Sequence, residues 1–410
     1  MDENNMLFVP KRKKSSCFRT VDVIFLLFIT CVVTLNMSYI ISLVTAENSA
    51  ATEEKYSEEL IKFINEYQRI LDNYYGDLDE NKLIDAAING LIDALPDDYS
   101  QTLDSSESNN YETKLKGVYE GLGVEIVNDT DNNIYIYNII EDSPAEEADL
   151  EVGDKLLKVD DFDLVGKTTT EFVNYVKSSS AKKFNLVIDR DGERVTTTIK
   201  KGQIVLKSVS SEMIEKNGKN VGYLEISIFA ANTYSQFKEK LNALEKGNID
   251  SLIIDVRGNG GGYLTTVTDM LSLFIDKSEV IYQTEQNGKT TKIYSKQSGS
   301  RAYNIVVLID GSSASASEIM AAALSEQCGA ILVGKKTYGK GTVQELITLD
   351  DGVQYKYTTK KWLTPKGNWI DGKGLEPDYE VSLDESYIKD PSQENDAQLQ
   401  KALEILTTSN

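Results

Sequence analysis

From Val221 onward the sequence alternates between two kinds of segment, and this alternation limits the fold more than any other feature. "VGYLEISIF", "SLIIDV", "NIVVLIDG" and "AILVG" are short runs rich in branched apolar residues. "TYSQFKEKLNALEK", "TTVTDMLSLFI" and "SASEIMAAALSEQ" separate them and read as helices. The order argues for an α/β layer, because consecutive parallel strands need a crossover long enough to hold a helix. Sheets of this kind place their sites at strand-to-loop junctions. Three stretches fall there: "DVRGNGGGY" (Asp255 to Tyr263), "DGSSASASE" (Asp310 to Glu318) and the segment holding Lys340 and Gln344. Near the C-terminus "DAQLQKALEIL" is a further amphipathic helix.

Upstream the pattern differs. The 410 residues allow two or three domains with separate cores. From Gly117 to about Lys200, "GVEIV", "IYIYNII", "DKLLKVD", "FNLVIDR" and "RVTTTI" are strand-like runs bounded by turn residues, with one helix, "TTEFVNYVK", among them. Residues 55–95 read as two amphipathic helices broken at Gly76 to Asp79, with Leu60, Ile61, Ile64, Tyr67 and Leu71 on one apolar face. So small a pair buries little alone and calls for another domain or another copy. Residues 101–116 are polar and read as a loose linker.

The N-terminus sets location. Lys11, Arg12, Lys13, Lys14 and Arg19 precede an uncharged run, Val23 to Val44, and Glu47, Glu53 and Glu54 follow it. As a helix that run spans roughly 33 Å, enough for a bilayer core. Basic flanks stay cytoplasmic, so a single-pass anchor with an extracytoplasmic body is expected. A cleaved signal peptide ending at the small residues Val44 and Ala46 is the alternative. The net charge of −22 argues against nucleic acid as a partner. Cys17 and Cys31 lie beside or inside the apolar run, so Cys328 stands alone in the body. A disulfide framework is therefore excluded, and a small core residue is the expectation for Cys328.

The chain contains no histidine, so its chemistry proceeds without imidazole. "GKKTYGKGT" (Gly334 to Thr342) has the outline of a phosphate-binding loop, but Gly341 stands where that loop needs Ser or Thr. The following "TVQELITL" alternates like a strand, where a phosphate loop opens a helix. Nucleotide binding is not expected. A serine hydroxyl needs a base within reach, and without histidine the candidates are lysine and carboxylates. Lysine serves only when neutral, which burial favours. Lys340 lies between two glycines with no carboxylate in the four residues before it, and Gln344 could bond its amine without charging it. Ser312, Ser313, Ser315 and Ser317 sit in a small-residue turn before a helix whose N-terminus favours a developing oxyanion. Spacing does not choose among them, and a serine-rich helix cap accounts for the same stretch.

In this order "RGNGGGYL", "DGSSASASEIMAAAL", "YGKGTVQ" and "LTPKGNWIDGKGLEPD" resemble the carboxyl-terminal processing peptidases, or tail-specific proteases, from about residue 55 to the C-terminus. "GLGV" (Gly121 to Val124) and "DSPAEEADLEVGDKLLKVDD", with the helix that follows, resemble a PDZ domain. The resemblance implies an α/β fold: a ClpP/crotonase-like peptidase core with an inserted all-β PDZ domain, an N-terminal helical cap and a transmembrane helix. With the basic segment at 1–22 and the anchor at 23–44 read from charge and hydropathy, it divides the rest into a helical cap and dimerisation region at 47–116, a PDZ domain at 117–202, a peptidase core at 203–390 and a final helix at 391–410. It implies a Ser315–Lys340 dyad with Gln344 orienting the lysine, and an oxyanion hole from the N–H groups of Gly261 and Ala316. No metal or other cofactor is implied. Gly121, Leu122, Gly123 and Val124 would hold the carboxylate of a substrate tail added as an extra strand. Arg190 matches an arginine that gates such proteases, and a solvated hairpin charge explains it equally.

The pattern has departures. Gly260 stands where the family often has proline, and "LPDDYS" (Leu95 to Ser100) where it reads close to L-D-P-H-S. Asp149 and Asp161 replace PDZ glycines, and Asp tolerates left-handed turns. The expected partners are peptides with free C-termini, a second copy of the chain and the membrane. A catalytically silent PDZ scaffold is the rival reading, and intact Ser315, Lys340 and Gln344 argue against it. The resemblance names no physiological substrate.

Overall fold

The structure, a computed structural model, describes residues 56–103, 105–297, 301–348 and 354–408. The expected cytoplasmic segment and membrane span lie outside the described residues. Among the described residues no helix is long and apolar enough to cross a membrane. The chain divides into two compact units, residues 1–88 and 89–410.

In the first unit, α1 (Glu58–Asn73) starts at Ser57, whose hydroxyl accepts the Leu60 N–H at 3.3 Å. Glu58 and Glu59 in its first turn complement the helix dipole. Leu60, Phe63, Ile64 and Ile70 make its apolar face, and all four are exposed. α2 (Glu80–Asp93) crosses the division between the units.

The second unit begins with a difference from the sequence reading. Residues 101–116 form β1 (Gln101–Leu103) and α3 (Ser105–Lys116) where a loose linker was expected. β1 is fixed by antiparallel pairing to a distant strand, with Leu103 opposite Gln354 and Gln101 opposite Lys356. Leu103 and Leu115 are buried. A segment this polar is ordered by its partner, which local composition does not reveal.

The β-domain comprises β2 (Val118–Gly121), β3 (Val124–Asn128), β4 (Ile134–Ile139), α4 (Pro144–Glu147), β5 (Lys155–Val159), β6 (Phe162–Asp163), α5 (Thr169–Ser178), β7 (Lys183–Arg190), β8 (Glu193–Lys200) and β9 (Gly202–Val205). Its sheet runs β3-β4-β5-β7-β8, with β6 on β5. β2 and β9 pair as a separate ribbon. Ile134, Ile136, Leu156, Phe184, Leu186 and Ile188 alternate inward along their strands to form its core. Thr168 and Glu171 make a reciprocal capping box at the start of α5, which buries Phe172 and Val176. Among the described residues β3 pairs only with β4, which leaves its outer edge open. Asp142, Asp149, Asp160 and Asp191 take left-handed backbone; the sequence reading named Asp149 and Asp161, and the turn at the second falls one residue earlier, at Asp160.

The peptidase-like core is built on β10 (Val209–Lys216), β11 (Lys219–Ile226), α6 (Thr233–Lys246), β12 (Ser251–Asp255), α7 (Leu264–Leu271), β13 (Val280–Gln286), β14 (Lys289–Tyr294), β15 (Asn304–Ile309), α8 (Ala316–Cys328), β16 (Ile331–Gly334), β17 (Thr342–Thr348), β18 (Gln354–Leu363), β19 (Tyr379–Glu380), α9 (Glu385–Lys389) and α10 (Ala397–Thr407). Its main sheet is ordered β10-β11-β12-β15-β16-β19 and is parallel from β11 onward. Leu252, Ile254, Val307 and Ile309 face a core that includes Phe237 of α6, Met270 of α7 and Met320 of α8. Ile253, Val306 and Leu308 face the opposite way, against Leu399, Ala402 and Leu403 of α10. Both faces of these strands are covered, which explains their unbroken apolar runs. A second, antiparallel sheet runs β1-β18-β13-β14, with β17 on β18. Cys328 is half-buried against the main core, and burial pushes its thiol pKa up.

Candidate active site

β12, β15 and β16 are parallel neighbours, so the loops after them leave the same edge of the sheet. The loop after β15 turns abruptly into α8 at Ser315, whose backbone sits at φ 56°, ψ −112°. For a residue with a side chain this conformation costs about 1–3 kcal/mol and persists only where the surroundings enforce it. The four serines are now distinguishable. Ser313 donates its hydroxyl to the Val256 carbonyl at 2.8 Å, and Ser317 donates to the Asn259 carbonyl at 2.8 Å. Ser312 is exposed beside them. Ser315 alone stands at the head of α8, and its side chain makes no cap bond.

The glycine turn after β12 closes on this serine. A side-chain carbon at Gly261 would stand 3.0 Å from Ser315 Cβ and 3.0 Å from the Ala314 carbonyl oxygen. Only glycine permits that approach. The Ala316 N–H has no acceptor among the described residues. The Gly261 N–H is different from its expected role: it is given to Asn259 Oδ1 at 2.9 Å. It is not free for an oxyanion in this arrangement, because the short turn brings the Asn259 carboxamide back onto it. The loop's base is fixed by Arg257, which bonds Asp255 in β12 and reaches Asp396 at 2.8 Å just before α10.

Lys340 lies in the turn between β16 and β17. Gly341 has its use here: a side-chain carbon on it would meet the Asp371 backbone nitrogen at 2.6 Å. Both tryptophans of the chain hold this turn. Trp362 Nε1 donates to the Lys340 carbonyl at 2.6 Å, and Trp369 Nε1 to the Gly341 carbonyl at 3.0 Å. The Lys340 amine makes no ion pair among the described residues and lies 4.6 Å from the centre of the Tyr99 ring. Its pKa is pulled down to about 8, by burial first and then by Lys356, with Asp97 and Glu318 opposing.

Glu318, fully buried, joins the two halves. Its Oε2 accepts the Ser315 N–H at 2.9 Å and the Lys340 N–H at 2.9 Å. The two backbone nitrogens are therefore no further apart than twice that distance. Its Oε1 accepts the Gly339 N–H at 2.7 Å and the Thr337 hydroxyl at 2.6 Å. Burial raises its pKa and these bonds oppose the rise.

Gln344 departs from its expected partner. Its amide nitrogen donates to Thr342 at 2.9 Å and Thr358 at 3.1 Å, and no hydrogen bond joins it to Lys340. The bulge in the β17–β18 pairing between Val343 and Gln344 sets its direction. Thr358 in turn donates to Asp97 at 2.9 Å. Arg190 is not a free hairpin charge. It bonds Asp154 through two nitrogens at 2.7 and 2.8 Å, Glu151 at 2.7 Å and the Asp149 carbonyl at 2.8 Å. It clamps its own domain, and places none of its hydrogen bonds on the peptidase-like core. The Asp154 bond comes first among the causes that raise its pKa.

In the β-domain, Gly121, Leu122, Gly123, Val124 and Ile126 line a groove of about 620 Å³ together with Phe172, Val173 and Val176 of α5. The N–H groups of Leu122 and Gly123 have no acceptor among the described residues. An open strand edge, free N–H groups and an apolar wall suit an added peptide strand.

A core of this kind joined to such a groove defines a serine-type peptidase with a peptide-binding module. The match to known proteins is specific. Residues 220–381 match Peptidase family S41, residues 121–200 match the PDZ domain, and residues 32–107 match the activating protease CtpB N-terminal domain. Over 348 residues the chain is 34% identical to carboxy-terminal processing protease CtpB of Bacillus subtilis, covering 84% of this chain and 72% of that protein. It is 34% identical to CtpA of the same organism over 378 residues, 91% of this chain and 79% of the relative. Among solved structures, a photosystem II D1 C-terminal processing protease superposes with a TM-score of 0.47 at 21% identity, over 86% of this chain and 98% of that one. The chain belongs to peptidase family S41 and to its carboxy-terminal processing proteases.

Glu318, Arg257, Thr358 and Tyr99 are the site residues that reading the sequence did not single out. Glu318 and Arg257 lie inside stretches already marked as candidates. Tyr99 lies in the "LPDDYS" stretch noted as a departure from the family pattern, and Thr358 carries no local signal; both reach the site from distant segments.

Proposed function

We propose that this peptidase cleaves proteins near their C-terminal tails with Ser315 as nucleophile and Lys340 as general base. The observation that carries this reading is the single Glu318 oxygen that binds the backbone N–H of both residues. Neutral Lys340 removes the Ser315 proton as the hydroxyl attacks the peptide carbonyl; the same amine then protonates the leaving nitrogen. Water hydrolyses the acyl-enzyme, with Lys340 again taking its proton. The free Ala316 N–H faces the developing oxyanion, and Gly261 joins it once its bond to Asn259 opens. Gln344 supports the base indirectly, by fixing Thr342 and Thr358 beside the lysine turn. The β3 edge and the Leu122 and Gly123 N–H groups take the substrate's terminal carboxylate.

The same reading makes residues 23–44 a single-pass anchor, with the N-terminus cytoplasmic and the catalytic body outside the membrane. It makes the exposed face of α1 a dimerisation surface, and it requires neither metal nor nucleotide. Ser315→Ala or Lys340→Ala in the purified protein should abolish cleavage of a tail-bearing peptide. In the unaltered protein, kcat/KM should rise with pH through about 8, as the lysine loses its proton. Full activity in either variant would remove the dyad. A serine-reactive probe that fails to label Ser315 would favour a silent scaffold.

A further inference from the structure

The turn Asp97 to Ser100 comes from a part of the chain remote from both catalytic loops, yet it reaches the lysine. It is built to hold one shape. Asp97 Oδ1 accepts the N–H groups of Tyr99 at 3.1 Å and Ser100 at 3.0 Å, and Oδ2 accepts the Ser100 hydroxyl at 2.7 Å. The turn is tied to β18 twice: Thr358 donates its N–H to Ser100 Oγ at 3.1 Å and its hydroxyl to Asp97 at 2.9 Å. Thr358 is also the residue that receives Gln344. Out of this turn projects Tyr99, half-buried, with its ring 4.6 Å from Lys340 Nζ.

We propose that Tyr99 is a positioning residue for the catalytic lysine: its ring face, held by the Asp97–Thr358 tether, seats the Lys340 amine where no carboxylate does. The inference rests on the Ser315–Lys340 reading. An aromatic face attracts an ammonium without offering a hydrogen-bond acceptor. It therefore directs the side chain while leaving the amine's lone pair, once neutral, available to a serine. A carboxylate in the same place would direct it equally well and hold it protonated. Because the ring favours the charged form, it also works against burial and stops the lysine's pKa falling further.

The other groups acting on this amine are few. Lys356 of β18 repels it, while Asp97 of the same turn and Glu318 of α8 attract it. Around Tyr99 itself stand Tyr338, Asp371 and Asp98; with burial as the main cause, its phenol is pushed up to about 12. It stays neutral wherever the lysine titrates. The "LPDDYS" stretch, a departure from the family pattern, supplies this ring.

The test is kcat/KM against pH for the full chain and its Tyr99→Phe and Tyr99→Leu variants, on one tail-bearing peptide. Tyr99→Leu keeps an apolar neighbour but removes the ring. Its acid limb should move to lower pH by about half to one and a half units, the range expected for a lost cation–π contact. Its plateau kcat should fall while KM stays near that of the unaltered protein. Tyr99→Phe keeps the ring, so its limb should stay in place. An unmoved limb in Tyr99→Leu, or an equal shift in Tyr99→Phe, would overturn the proposal. Tyr99→Met serves as the second ring-less variant if the leucine form does not fold. Lys340→Ala separates the two levels. If it is inactive while the Tyr99 variants shift nothing, this inference fails and the dyad stands; if it is fully active, the dyad itself fails.

Discussion

The two halves of the site are prepared by different means. The serine half is backbone work: Ser315 is held at a positive φ, its neighbours Ser313 and Ser317 are tied to the glycine turn, and its own hydroxyl is left unbound. The lysine half is environment work. Lys340 and its flanking glycines are pressed from outside by Trp362, Trp369, Asp371 and Tyr99, and its amine is short of water and partners. A nucleophile needs to be presented, which a sharp turn at a helix head achieves. A lysine base needs to be discharged, which a turn alone cannot do and burial can. Glu318 binds both halves, and the Tyr338 N–H, given to the Ser313 carbonyl at 3.1 Å, ties the two turns as well.

Outside the dyad itself, the largest loss of activity should therefore come from Glu318. Glu318→Gln keeps the size but turns one of its two oxygens into an amide nitrogen that cannot accept. At Oε2 the Ser315 and Lys340 N–H groups would lose their acceptor, and at Oε1 the Gly339 N–H would, at a cost of about 1–3 kcal/mol each. Activity should fall at least 100-fold, with a clear drop in the urea midpoint of unfolding. Retention of activity would break the comparison, because the two halves would then be held together by something else.

Gly261→Ala strikes only the serine half. The new methyl would sit at 3.0 Å from Ser315 Cβ, on a residue whose φ is +109°. Strain of about 1–3 kcal/mol is expected, enough to shift Ser315 and lower kcat/KM roughly 10- to 100-fold. The pH at which activity rises should not change, since the lysine environment is untouched. A moved limb would mean that the halves are coupled more tightly than their contacts indicate.

The same contrast explains what could be read from the sequence. The parallel sheet was legible because strands such as Ser251–Asp255 are buried on both faces and carry the mark in every residue. From spacing alone the serine turn was legible as a place but not as a residue; the family resemblance pointed to Ser315, and the bonds of Ser313 and Ser317 set those two apart from it. Gly341 was legible as a close approach, and Asp371 is what approaches. Nothing local announced the partners of the lysine. Tyr99 lies far back in the chain, and β1 is ordered only by its pairing to β18. Gln344 was expected at the amine because its type suits that task, but a bulge that leaves Thr359 of β18 unpaired sets it opposite Thr358. Side-chain direction near a bulge depends on register, which residue type does not encode. The bonds of Arg190 were hidden for the same kind of reason, since the loop that claims it lies 36 to 41 residues away.

Lys340→Met should move stability in the opposite direction, so it tests the lysine half most cleanly. The ordinary lysine value of 10.5 applies to the unfolded chain, and the folded value is about 8. Below pH 8 the amine is charged in both states, and the folded protein carries the burial penalty, about 3 kcal/mol at most. Between pH 8 and 10.5 the folded form discharges first and the penalty shrinks. Above 10.5 the amine is neutral in both states and the penalty is gone. Methionine has similar length and no charge to desolvate. Lys340→Met should therefore be inactive but more stable by about 1–3 kcal/mol at pH 7, and this advantage should fade as the pH approaches 10.5. Urea unfolding at both pH values measures it. A variant that is destabilised equally at both would show that Lys340 is retained for packing, and the division between a strained serine and a desolvated lysine would not hold.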